Sequence, residues 1–224
     1  MSGRISVVVP TLNEAQGILA CLDALAPLRA RGHELIVVDG GSDDGTPELA
    51  RPRADRVLAA PCGRARQMNA GARDAAGDAL VFLHADVRLP QGADGMVLEA
   101  LAARPWGRFD VRLDSSRALL GLVGGMMNLR SRLTGIATGD QALFVRRELF
   151  ERLGGYAEIP LMEDVELSSR LRRAGRPACL RARVLASARR WEARGALRTV
   201  VLMWRLRLAY FLGADPARLA ERYR

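Results

Sequence analysis

The run Leu80, Val81, Phe82, Leu83 ends in His84, Ala85 and Asp86, so an apolar segment of strand length delivers an imidazole and a carboxylate to its carboxyl end. In open α/β sheets ligands gather outside those ends, which makes Asp86 a candidate for holding a ligand or a divalent cation. An Asp that caps the next turn, with His84 half-buried beside it, accounts for the same residues. An acidic pair, Glu163 and Asp164, lies in residues 162–174, which read as a helix. Glu163, Glu166, Arg170 and Arg173 share one face there, as a solvated, salt-bridged stripe. Asp164 falls with Leu167 and Leu171 instead, aimed at the apolar interior or a cleft. A carboxylate so placed is costly unless it is solvated, paired or used as a general base. The alternative is a first-turn Asp favoured by the helix dipole.

These groups need elements to position them. Residues 5–9 form a β-branched run closed by Pro10, residues 14–26 are helical, and residues 35–38 form a second apolar strand that ends at Asp39. Gly40 and Gly41 mark a turn, and Thr46 before Pro47 fits an N-cap followed by the first helical position. A short strand over 56–59, a helix over 64–76, the strand over 79–83 and a helix over 93–103 complete the alternation. Strands separated by helices predict an α/β fold with a parallel sheet and right-handed crossovers. That geometry brings Thr11, Asn13 and Glu14, then Asp39, then His84 and Asp86, to one edge. Three carboxylates in one crevice suit a nucleotide with a divalent cation. Residues 115–135 read as an apolar, glycine-containing helix, either core or a wall for an apolar acceptor.

Charge is distributed unevenly. Lysine is absent and all 34 basic residues are Arg; residues 1–170 hold 20 Arg against 22 acidic residues, whereas residues 171–224 hold 14 against 3. The excess cation therefore lies in one tail and implies an anionic partner such as headgroups, phosphates or nucleic acid. Cys21, Cys62 and Cys179 lack metal-site spacing, and residues 1–9 lack a secretory pattern, so a reducing, cytoplasmic setting is expected.

Four ordered blocks, VVVPTLNE (7–14), IVVDGGSDDGT (36–46), GRARQMNAGARDAAGDALVFLHADV (63–87) and GDQALFVRRELFERLGGYAEIPLMEDVELSSRLRRAGR (139–176), together resemble the family 2 glycosyltransferases of GT-A fold. The resemblance implies a Rossmann-like, mostly parallel sheet flanked by helices. It also implies inverting transfer of a sugar from a nucleotide diphosphate sugar, by default UDP-linked, to an acceptor hydroxyl, aided by Mg²⁺ or Mn²⁺. By position, Pro10, Thr11, Glu14 and Asp39 would hold base and ribose, with Arg64, Asn69, His84 and Ala85 close to the nucleotide. Asp86 matches the last Asp of the family's Asp-x-Asp metal motif, and Asp164 the general base of the Glu163–Asp164 pair. His84 replaces the first Asp, so a two-carboxylate metal site is not expected; His84 would touch ribose or a metal-bound water. Asp140 and Gln141 are candidates for reading sugar or acceptor, and Glu163, beside the matched base, is a further acceptor or diphosphate candidate. Residues 187–191 resemble the Gln-x-x-Arg-Trp of processive relatives with Ser187 in place of Gln, which leaves Arg190 and Trp191 as diphosphate or acceptor candidates.

The expected organisation is a catalytic domain over residues 1–190 and a basic amphipathic helical tail over residues 191–224. Residues 196–212 are too short and too charged to span a bilayer. They read as a helix packed on the domain or lying on the inner face of a membrane beside a lipid-linked acceptor, with Trp204, Tyr210 and Phe211 in the boundary. Two alternatives remain open on residues alone. A sugar-phosphate nucleotidylyltransferase should carry a Gly-rich basic loop after the first strand, where Glu14 stands. A non-catalytic RNA- or membrane-binding protein should bind with steep salt dependence; no nucleic-acid partner is expected.

Overall fold

The computed structural model describes residues 3–223. In chain order the elements are β1 (Ile5–Thr11), α1 (Ala15–Ala30), β2 (Glu34–Asp39), α2 (Thr46–Ala50), β3 (Arg56–Ala59), α3 (Arg64–Asp74), β4 (Ala79–Phe82), β5 (Val87–Arg88), α4 (Ala93–Ala103) and β6 (Trp106–Asp114). There follow α5 (Ala118–Thr134), a 3₁₀ turn (Gly139–Gln141), β7 (Phe144–Arg146), α6 (Arg147–Arg152), α7 (Glu163–Ala174), β8 (Ala178–Ser187), α8 (Arg189–Arg194), α9 (Ala196–Phe211) and α10 (Pro216–Tyr223).

Among the described residues the strands form one mixed, mostly parallel sheet of order β3-β2-β1-β4-β7-β6-β8-β5. β1 to β4 are mutually parallel, as the crossover rule predicts, and β7 enters antiparallel between β4 and β6. Side chains alternate between the two faces. Val7, Val9, Leu35, Val37 and Val81 pack with Ile18, Leu22 and Leu25 of α1, while Val8, Ile36, Val38, Leu80 and Phe82 pack with Met68 of α3 and Leu167 and Leu171 of α7. Burial on both faces is why these strands read as unbroken apolar runs. At Gly71 a Cβ would lie 2.4 Å from Val8 Cγ1, so the absence of a side chain sets how closely α3 sits on the sheet.

One local expectation differs. Gly45, in the left-handed region, occupies the position before α2, and the Thr46 hydroxyl is turned away from its own helix. It accepts the Glu14 N–H at 2.9 Å and donates to Asp44 Oδ1 at 2.5 Å, which ties the start of α1 to the β2–α2 loop.

α5 is a core helix on one face only. Asn128 pairs with the backbone of Val111 through both ends of its amide, at 2.8 and 2.9 Å, and Leu120 and Val123 are buried. Leu119, Leu122, Met126, Leu129 and Leu133 are exposed, so an apolar stripe faces outward. The tail packs on the domain: Leu206 and Leu219 share a small core with Ile136, Met162 and Val165. Its other face leaves Leu197, Val201, Trp204, Leu208 and Phe211 exposed. Among the described residues no helix is long and apolar enough to cross a membrane.

Candidate functional site

β1 and β2 end side by side, with Thr11 opposite Asp39. Pro10 and Thr11 are buried in the end of β1. Thr11 and Ser42 hydroxyls donate to Asp39 Oδ1 at 3.2 and 2.5 Å, and the N–H groups of Gly41 and Ser42 donate to Oδ2 at 2.9 and 2.8 Å. Burial pushes the Asp39 carboxyl up, but these donors outweigh it and hold it below its usual value. Both oxygens are doubly engaged, so any nucleotide contact must displace one of these donors. Glu14 heads α1, half-buried, with Arg189 Nη2 at 3.8 Å. Burial and the charge of Asp86 push its carboxyl up against the opposing pull of Arg189, Arg64 and His84. The ends of β1 and β4 thus share one electrostatic neighbourhood.

Past β4, His84 is half-buried, Ala85 is buried and Asp86 is exposed. The carbonyl of Asp86 accepts the Ser187 N–H at 3.0 Å, which joins this loop to the end of β8 and so to Arg189 and Arg190. His84 Nδ1 lies 3.7 Å from Asp140 Oδ1 of the 3₁₀ turn. Burial pushes the Asp140 carboxyl up, yet His84, Arg64 and Arg190 prevail and hold it below its usual value. Among the described residues no group of three His, Cys, Asp or Glu side chains could cage a cation. Asp86 is a single hard oxygen donor beside cationic side chains. That donor set fits a Mg²⁺-type ion taking one or two carboxylates, with the remaining oxygens from a diphosphate and water.

The 3₁₀ turn fits closely against His84. A Cβ on Gly139 would stand 2.2 Å from His84 Cε1. Gly139→Ala is therefore expected to displace the imidazole and cost about 1–3 kcal/mol in denaturant unfolding. An unchanged unfolding midpoint would mean that the ring yields freely.

α7 departs from the wheel reading at its first residue. Met162, at φ 70°, turns the chain sharply into the helix. Glu163 consequently does not join the solvated stripe: it is buried, 6% exposed, while Glu166 and Arg170 form the expected pair at 2.7 Å. Asp164 is half-buried, its Oδ2 accepting the Gly139 N–H at 2.8 Å and its Oδ1 the Val165 N–H at 2.7 Å. These bonds orient the carboxylate. Burial and the charge of Asp164 push the Glu163 carboxyl up to about 7, against Arg64 and His84. Because this lies above the ordinary 4.5, protonation favours the fold; the contribution is complete below pH 4.5 and is lost as pH rises through about 7. Glu163→Gln is expected to remove that loss and to stabilise the protein at pH 8 by up to about 3 kcal/mol, with a flatter melting-midpoint curve. Parallel curves for the two proteins would assign the titration elsewhere.

Two expected contact residues face the protein instead. Asn69 spends both ends of its amide on the Tyr156 backbone, at 2.8 and 2.9 Å, clamping the segment that leads to α7. Gln141 is fully buried; its Oε1 accepts the Thr138 N–H at 3.2 Å, and its Nε2 donates to Asn128 Oδ1 at 3.4 Å. Gln141 therefore shapes the turn that carries Gly139 and Asp140, with no surface left for a sugar.

What these elements enclose is a cavity of about 330 Å³ lined by Arg64, His84, Asp140, Glu163, Asp164, Arg190 and Trp191. Asp86 lies outside it, coupled to it through Arg190, whose guanidinium feels burial, Arg64, Asp140 and Asp86 together. Arg190 also stacks over the Tyr223 ring at 5.0 Å, so α10 helps to place it. The far wall comes from α5 and α9 and includes Arg130 and Arg207, which the sequence reading missed. A signal was there: Val123, Met126, Met127 and Arg130 share the spacing of Val200, Met203, Trp204 and Arg207, each set ending an apolar helix face in a charge.

Comparison with known proteins identifies the family and the fold. The profile of glycosyl transferase family 2 matches residues 6–153. A PGL/p-HBAD biosynthesis glycosyltransferase of Mycobacterium bovis is 32% identical over 167 residues, covering 67% of this chain and 62% of that protein. The chain thus spans about three fifths of the length of that curated relative. Among solved structures, a mannosyltransferase from Pyrobaculum calidifontis in complex with GDP-Man and Mn²⁺ superposes with a TM-score of 0.69 at 22% identity, covering 100% of this chain and 69% of that one. S. aureus TarS 1-349 in complex with UDP gives 0.68 at 20% identity, covering 82% and 60%. The structural likeness shows the GT-A fold, and the match across β1, β2, β4, the His84–Asp86 loop and the 3₁₀ turn shows the family: the chain belongs to glycosyl transferase family 2.

Proposed function

We propose that the protein transfers a sugar, with inversion, from a nucleotide diphosphate sugar, UDP-linked by default, to an acceptor hydroxyl. The observation that carries this reading is the convergence, on one cavity, of an oriented carboxylate from α7 with Arg64 and Arg190 from two other elements. The leaving diphosphate develops negative charge, which Arg64 and Arg190 meet electrostatically. Asp86, with His84 beside it, would hold Mg²⁺ or Mn²⁺ against the diphosphate; the ion supplies further neutralisation of the leaving group. Asp164 takes the proton of the acceptor hydroxyl as its oxygen bonds to the anomeric carbon and the bond to the diphosphate oxygen breaks, the electron pair leaving with the nucleotide. Base and metal ligand stand on separate elements, Asp164 on α7 and Asp86 after β4, as displacement from the opposite side requires.

Glu163 is a second candidate base, favoured by its burial in the cavity and a carboxyl that titrates at about 7. The acceptor is lipid-borne in this reading. The exposed stripes of α5 and α9, next to a tail with 14 Arg against 3 acidic residues, suit an anionic membrane surface. A thermal-shift screen of nucleoside diphosphates with Mn²⁺ or Mg²⁺ tests the donor assignment: a metal-dependent rise in midpoint with UDP or GDP supports it, and no response to any of them overturns it.

A further inference from the structure

We propose that Arg130 and Arg207 form an oxyanion subsite beside Asp164, and that the acceptor is an apolar molecule carrying a phosphate or carboxylate near the hydroxyl it offers. This rests on the glycosyltransferase reading, which it deepens by naming the acceptor class. Nε and Nη2 of Arg130 are buried with no hydrogen-bond partner, a costly state for a guanidinium. Neither Arg130 nor Arg207 makes an ion pair among the described residues. Their charges nevertheless oppose each other: burial and then Arg207 bring the Arg130 guanidinium down to about 10, and burial lowers that of Arg207 against the pull of Asp164 and Asp140.

Asp164 does not resolve this. It is near enough to act on both guanidiniums, but its oxygens are bonded to the N–H groups of Gly139 and Val165. Asp140 also acts on Arg207, but it is already shared with His84, Arg64 and Arg190, and four arginines against Asp140, Glu163 and Asp164 leave the cavity net positive; the side chains around Arg130 and Arg207 on α5 and α9 are methionine, valine and tryptophan. A planar fork pair in an apolar wall is matched to a tetrahedral or planar oxyanion on an apolar body. The diphosphate of the donor has its own pair, Arg64 and Arg190, which sit with Asp86 and Asp140. An anion bound by Arg130 and Arg207 would therefore fix the acceptor against the base.

The test uses the full chain saturated with UDP and Mg²⁺, so that the donor end is filled, and reads the melting midpoint against two probes. One is inorganic phosphate; the other is phosphatidylcholine vesicles with or without phosphatidic acid. Wild type is expected to respond to a probe, and Arg130→Met and Arg207→Met to weaken that response about tenfold or more. The unliganded midpoint of Arg130→Met should equal or exceed that of wild type, because an unpaired buried charge has been removed; a structural arginine would lower it. A response to soluble phosphate shows that the two arginines recognise the oxyanion itself, and one confined to phosphatidic acid vesicles shows that recognition requires the lipid that carries it. No response to either probe, or equal responses in wild type and both variants, overturns the subsite. If UDP itself fails to bind, the donor reading fails separately. Phosphate titration of Arg64→Met without nucleotide then still reports on Arg130 and Arg207.

Discussion

Asp164→Asn is expected to bind the nucleotide sugar as wild type does and to lose turnover by about 10²- to 10⁴-fold, the usual worth of a positioned general base. The substitution preserves shape, and every group assigned to the donor stands on a different element, so the donor constant has no reason to move. Titration calorimetry with UDP and Mn²⁺ measures the first half; release of UDP from the donor, with water or a supplied alcohol as acceptor, measures the second. A variant that bound poorly would make Asp164 a structural anchor for the 3₁₀ turn, since its Oδ2 holds the Gly139 N–H at 2.8 Å. The comparison with Glu163→Gln decides between neighbours. If Glu163 is the base, the rate rises as pH passes about 7 and that limb vanishes in Glu163→Gln, whereas Asp164→Asn keeps it, moved to lower pH by loss of the Asp164 charge. Full turnover in Asp164→Asn with loss in Glu163→Gln would transfer the role.

How much of this was legible in sequence depended on the range of the contact. The strands and their polar ends could be read because each is an apolar run stopped by a polar residue, and parallel pairing then brings Thr11, Asp39 and His84 to one edge. Glu163 was misread because a helical wheel assumes that the helix already exists at its first residue. The left-handed turn at Met162 instead points Glu163 toward His84 and Tyr156 across a small cavity. Asn69 and Gln141 looked like ligand contacts because an amide advertises hydrogen bonding without saying to what. The partner of Asn69 lies 87 residues away, and only the fold reveals it. α5 was ambiguous for a related reason: it is apolar on the face that packs and on the face that does not, so periodicity could not tell them apart. Arg130 and Arg207 were within reach of the same reasoning, as charges closing two apolar helix faces of identical spacing.

Asp86→Ala should abolish metal-dependent donor binding while leaving the fold intact. The side chain is exposed, and only its backbone carbonyl is tied to β8, through the Ser187 N–H, so its removal should change stability by no more than about 0.5 kcal/mol. The effect on the ligand is different in kind. With Asp86 a single carboxylate and no acidic cluster among the described residues, too few hard donors are offered to hold Mg²⁺ or Mn²⁺ tightly, so cation and diphosphate would complete each other's coordination. Wild type should therefore show negligible Mn²⁺ binding without nucleotide and a UDP affinity that rises steeply with Mn²⁺. The same linkage predicts that Asp86→Ala binds UDP with or without Mn²⁺ at the weak metal-free level, held by Arg64 and Arg190 alone. Electron paramagnetic resonance of free Mn²⁺ measures the first quantity and calorimetry the second. Persistence of the Mn²⁺ effect in Asp86→Ala would place the cation on another oxygen donor of the same edge, with Glu14 the nearest acidic candidate, because its carboxyl already feels the charge of Asp86.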